Sequence, residues 1–179
     1  MAVAANSSGN GTRVSQSATF MPCSAVIFDC DGVLVDSIEI EDASAVRPIP
    51  GAGGLVDPIP EDRWAVVTSG SRALVRARLT AAGLPLPRVL ITGQDVVRGK
   101  PDPLGYLAAA KALGVEPRSC VVLEDSLPGI RAARAAGVRA VLGVGGLDVG
   151  DERPRVTVPD LRCVRWRRAG LEVLHPALG

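Results

Sequence analysis

Five short apolar runs recur along the chain: AVIFD (25–29), WAVVTS (64–69), RVLITG (88–93), CVVLED (120–125) and RAVLGVG (139–145). Each is nearly continuous rather than alternating, as strands covered on both faces are. Helical stretches lie between most of them. SRALVRARLTAAG stops at Gly83 and LPGIRAARAAG at Gly137, both natural C-terminal stops. In PDPLGYLAAAKALG, Asp102 can cap, Pro103 suits the first turn and Gly114 ends the helix. Strands alternating with helices predict an α/β fold, a three-layer, Rossmann-like, doubly wound parallel sheet. Past Gly150 the pattern weakens, but VRWRRAGLEVL (164–174) has Ala-Gly at its centre and reads as a small hairpin.

Composition narrows this picture. A chain of 179 residues suits one domain with a real core. At 47% apolar but only 3% aromatic, that core is built from Val, Leu, Ile and Ala. A net charge of +1 argues against a nucleic-acid surface, and no apolar run is long enough to span a membrane. Cys23, Cys30, Cys120 and Cys163 are scattered and form no CxxC, which with a single histidine argues against zinc. Free thiols fit a reducing, cytoplasmic setting. Residues 1–22 open with a polar Ser/Asn/Gly-rich stretch and are expected to be a disordered extension, leaving 23–179 as the domain.

The chemistry gathers at the strand ends. In open parallel sheets, ligands bind beyond the carboxyl ends of the strands. The first run ends in Asp29 and Asp31, the second in Thr68, Ser69 and Gly70, and the fourth in Glu124 and Asp125. Lys100 follows the third, where Pro101 should hold it extended. Each feature alone has a plain structural reading: a DxD as a solvated turn, Ser69 or Ser71 as a helix cap, GKP as a surface turn, and ED as a complement to a helix dipole. Four of them, in order, at successive strand ends are not expected by chance. Together they supply a carboxylate nucleophile, oxygen ligands for a metal, phosphate donors and a cation, which is the equipment of phosphoryl transfer.

With these residues in view, the chain resembles the haloacid dehalogenase-like hydrolase superfamily. DCDGVLVDS, VVTSGS, GKPDP and VLEDS stand where its four motifs stand. WAVVTSGSR, ITGQDVVRGKPDPLGYL and LEDSLPGIRAARAAG are most similar to its sugar-phosphate and glycerol-phosphate phosphatases. The resemblance implies a role for each residue. Asp29 is the nucleophile that forms an aspartyl-phosphate, and Asp31 is the acid and then the base. Thr68, Ser69 and Gly70 hold phosphate oxygens with Lys100, which also offsets charge. Asp29, Asp31 and Asp125 hold Mg²⁺, with Glu124 behind them. Asp31 as the second acid of the first motif favours phosphate-ester hydrolysis or phosphomutase chemistry.

The resemblance also exposes a departure. Relatives of this subfamily carry a helical cap between the first two motifs. Here Ser37 is followed by IEIEDASAV, which is too short for one. The cap is therefore expected to be absent or vestigial, with a truncated insertion near 38–49. Function then divides three ways: a phosphatase of small sugar or polyol phosphates, a phosphomutase, or a non-catalytic phosphate-binding remnant. An uncapped site could also borrow a lid from a second copy, as a homo-oligomer. Asp36 and the acids between Glu39 and Asp42 read as a solvated loop beside the site mouth.

Overall fold

The computed structural model describes residues 17–36, 46–147 and 149–175. Ala18–Pro22 (β1) precedes Ala25–Phe28 (β2), the strand on which the molecule is centred. Trp64–Val67 (β5), Val89–Ile91 (β6), Cys120–Glu124 (β7) and Ala140–Val144 (β8) are the other four expected strands. Together with Val156–Val158 (β9) they form one six-stranded sheet in the order β6-β5-β2-β7-β8-β9, parallel throughout. The apolar runs thus predict five strands, and the sixth escapes them because VTV is short and closed in by Pro154 and Pro159.

Alternation along β2 divides the core. Ala25 and Ile27 face Tyr106 and Ala109 of Leu104–Leu113 (α3) and Ile130 and Ala133 of Leu127–Ala135 (α4). Val26 and Phe28 face Val75 and Leu79 of Arg72–Ala81 (α2) and Leu55 of the short helix Ala52–Val56 (α1). The Phe28 and Trp64 rings meet edge to face, 6.1 Å between centroids. Three helix ends match the stop signals, with Gly83, Gly114 and Gly137 all at positive φ. No helix among the described residues is long and apolar enough to cross a membrane.

The expected hairpin forms from Val164–Arg167 (β10) and Gly170–Leu174 (β11), but it is not isolated. β1 pairs with β11 along its whole length, Met21 opposite Leu171, to make a three-stranded antiparallel sheet. This corrects the expectation of disorder through residue 22. Residues 18–22 are ordered because the free edge of β11 offers hydrogen-bond partners and Met21 is buried against the core. Residues 1–16 lie outside the described residues.

Val35–Asp36 (β3) and Arg47–Pro48 (β4) pair antiparallel, Asp36 opposite Arg47. The segments on either side of residues 37–46 are therefore held side by side. Ser37 and the acids from Glu39 to Asp42 lie outside the described residues.

Leu171, Val173 and Val164 belong to the same buried cluster as Val26 and Phe28, so the small sheet should unfold with the large one. Leu171→Ala is expected to cost about 2–5 kcal/mol in chemical denaturation, in a single transition. Two separated transitions would show that the antiparallel sheet is an independent unit.

Candidate active site

β5, β2 and β7 are adjacent in the sheet, so their carboxyl ends open on one cleft. Asp29 follows β2, with its amide donating to the Leu123 carbonyl at 3.0 Å. Thr68 follows β5, with its amide donating to the Ile91 carbonyl at 3.0 Å. Glu124 ends β7 and Asp125 follows it. The strand order reverses on either side of β2, the kind of switch point at which such sheets bind ligands. A cleft of about 390 Å³ is lined by Asp29, Asp31, Thr68, Ser69, Lys100 and Asp125, together with Ser126 and Pro128. Gly70 stands one residue behind this lining and Glu124 lies buried beneath it.

Lys100 ties the floor together. Its ammonium pairs with the Asp29 carboxylate and, at 2.5 Å, with Glu124, and it lies 5.4 Å from the Tyr106 ring centroid. The Lys100–Pro101 peptide bond is cis. Glu124 has no solvent exposure, so each carboxylate oxygen needs a partner. Besides Lys100, it accepts from the Tyr106 hydroxyl at 2.7 Å and from the Asp125 amide, the Ser126 amide and the Ser126 hydroxyl at 3.0 Å. Ser126 also caps α4 by accepting from the Gly129 amide at 3.2 Å. A β-carbon at Gly129 would stand 1.7 Å from Glu124 Oε1, so only glycine lets the helix start this close to the carboxylate.

Charge is crowded here. Burial pushes the Asp29 carboxyl up to about 8; the Lys100 ammonium opposes the rise, while Glu124 and Asp125 add to it. Burial and then the Glu124 charge raise Asp125 to about 6. Burial alone would lower Lys100, but Asp29 and Glu124 outweigh it and hold the ammonium above its ordinary range. Burial, reinforced by Glu124, lifts the Tyr106 phenol well above its usual value, which keeps it a neutral donor.

Asp31 turns toward α2, where the Arg78 guanidinium donates to it at 2.7 Å. Among the described residues, no three acidic, histidine or cysteine side chains form a ready cation site. Asp125 nonetheless packs on the loop that carries Asp31: a β-carbon at Gly32, which sits at φ +76°, would be 1.9 Å from Asp125 Oδ2. Opposite, the Thr68 hydroxyl accepts from the Gly70 amide at 3.1 Å, which leaves its proton free to donate into the cleft. Ser71, rather than Ser69, caps α2 by accepting from the Leu74 amide, so Ser69 is free for the cleft. Asp95 binds Arg72 at 2.7 Å and the Thr92 amide at 2.8 Å, pinning the loop after β6 that leads to Lys100.

The sequence-predicted set thus converges, and three further residues join it. Arg78 was signalled as a charge three residues after buried Val75, on the packed face of α2. Tyr106 is the single tyrosine of the chain, on the buried face of an alanine-rich helix, where a phenol needs a partner. Ser126 gave no signal beyond its place before a helix.

The haloacid dehalogenase-like hydrolase family model matches residues 39–137, more than half of the chain and beginning after Asp31. Hexitol phosphatase A of Escherichia coli K12 is 37% identical over 129 residues, covering 71% of this chain and 58% of the relative. Validoxylamine A 7'-phosphate phosphatase of Streptomyces hygroscopicus subsp. limoneus is 40% identical over 139 residues, covering 73% of this chain and 63% of that one. The chain therefore spans about three fifths of the length of these curated relatives. Among solved structures, a HAD family hydrolase from Deinococcus radiodurans R1, with bound phosphate and sodium, shares the fold. It has a TM-score of 0.67 and 22% identity, with 76% of this chain and 91% of that chain covered. With the family model matching more than half of the chain, the chain belongs to the haloacid dehalogenase-like hydrolase family.

Proposed function

We propose that this chain is a Mg²⁺-dependent phosphatase that hydrolyses small phosphate monoesters, of the sugar or polyol class, through an aspartyl-phosphate on Asp29. The observation that carries the reading is the buried Lys100 bridge between Asp29 and Glu124, at the floor of a cleft that also holds Asp31, Thr68, Ser69 and Asp125. The named phosphatases among the relatives support the substrate class.

In this reading the Asp29 carboxylate attacks phosphorus, the ester oxygen leaves, and water then cleaves the acyl-phosphate bond. Asp31 donates its proton to the leaving oxygen and takes one back from the attacking water. Arg78 holds that carboxylate at the cleft wall. The Thr68 hydroxyl and the Ser69 amide donate to phosphate oxygens, with Gly70 keeping the turn close, and Lys100 offsets the charge that builds on them. Glu124 touches no substrate; it aims Lys100.

The residues fit a hard divalent cation. Asp29 and Asp125 offer carboxylate oxygens, Asp31 offers a backbone carbonyl, and all are oxygen donors of the kind Mg²⁺ prefers. One ammonium does not offset the Asp29, Glu124 and Asp125 carboxyl groups at once: without a further cation Asp29 is raised to about 8 and Asp125 to about 6. Bound Mg²⁺ would supply the missing positive charge against both Asp29 and an anionic phosphate. A mutase must shelter its intermediate from water, and the named phosphatases among the relatives favour hydrolysis over that alternative.

The test is phosphate release from a panel of sugar, polyol and aryl phosphates with Mg²⁺. Asp29→Asn should lower turnover by about 10³-fold or more with an unchanged circular dichroism spectrum. An Asn variant with near wild-type turnover contradicts the nucleophile assignment. Lys100→Ala should cost on the order of 10² or more in kcat, and a near-normal rate would return GKPDP to a surface turn.

Proton linkage gives a readout independent of turnover. The folded pKa of Asp29 is raised from 3.8 to about 8, so the folded state holds a proton that the unfolded chain has lost. Stability of the metal-free protein from this group is full below about 4 and is lost as pH rises toward 8. Mg²⁺ should therefore raise Tm more at pH 8 than at pH 5, and Asp29→Asn should flatten the decline. A Mg²⁺ effect on Tm independent of pH would oppose the ligand set.

A further inference from the structure

At the opposite end of the sheet, where the strands begin, three arginines surround one cavity of about 380 Å³. Arg63 comes from the turn before β5, Arg139 from the turn before β8, and Arg168 from the tip of the β10–β11 hairpin. Ser24 and Ser119, which precede β2 and β7, add hydroxyls to the lining, and no acid lines it. Among the described residues, the Arg139 and Arg168 side chains make no hydrogen bond or ion pair, and neither serine hydroxyl is engaged. Arg63 donates only to the Ser24 carbonyl, at 3.3 Å.

We propose that this cavity is a second binding site, for a phosphorylated small molecule, at the end of the sheet remote from the hydrolytic cleft. Three cations and no acid along one depression favour an anion there. Guanidinium forks match phosphate oxygens two at a time, and the serine hydroxyls supply further donors. The surroundings also set the size of the ligand. A second cavity of about 480 Å³ shares Arg139 and is lined by Arg155 and by apolar Met21, Val141 and Val156, so an organic body attached to the phosphate has a place to lie. One wall of the site is β1 with the hairpin, so the site exists because the small antiparallel sheet folds onto the large one. The proposal does not depend on the hydrolase reading.

Titration of the metal-free full chain with inorganic pyrophosphate, followed by amide NMR, separates the two ends of the sheet. Saturable shifts are expected at Ser24, Arg63, Arg139 and Ala169, unchanged in Asp29→Asn. The double variant Arg139→Gln/Arg168→Gln should weaken that affinity at least about tenfold. Both side chains are exposed and unbonded, so the fold should survive. If the double variant does not fold, Arg168→Gln alone, at the hairpin tip, decides by the same loss of affinity. Shifts confined to Asp31, Ser69 and Asp125, shifts that never saturate, or affinity unaffected by the arginine substitutions would each overturn the site.

Discussion

The Lys100 ammonium lies between the Asp29 and Glu124 carboxylates with a tenth of its side chain exposed. Removing such charges from water costs several kcal/mol each, and only good geometry and further hydrogen bonds compensate. The surroundings meet that demand. Tyr106 from α3, Ser126 and two backbone amides from the start of α4 complete Glu124, and Gly129 lets the helix approach it. A cation held this way cannot swing to solvent, so it stands ready beside whatever anion enters over Asp29. One ammonium does not offset the Asp29, Glu124 and Asp125 carboxyl groups at once, and that shortfall is the physical case for a divalent cation.

Sheet order makes this arrangement available. Because β5 and β7 flank β2, residues far apart in sequence reach one cleft from three neighbouring strand ends. Where relatives are expected to carry a cap, β3 and β4 pair directly. β1, β10 and β11 seal the same face of the sheet as α1 and α2.

Much of this was legible because parallel strands are buried on both faces and so read as apolar runs. The polar residues that interrupt those runs, Asp29, Thr68 and Asp125, are the ones placed in the cleft. Less legible were features set by tertiary contact. β9 is short and bounded by prolines, and β1 is ordered only because β11 offers an edge. Arg78 and Tyr106 carried their signal only through burial: each is a polar group on a packed helix face, meaningful once its partner across the fold is known. The roles carried over from the four motifs rest on family likeness, while the convergence of their side chains is geometry.

Trapping the proposed intermediate tests the central claim most directly. The full chain would be mixed with Mg²⁺ and an aryl phosphate, quenched in acid during turnover, and mapped by peptide mass spectrometry. The account predicts a phosphoryl group on the peptide that contains Asp29, absent when Mg²⁺ is withheld. Sustained phosphate release with that peptide unmodified throughout, or a phosphoryl group carried elsewhere, would contradict it.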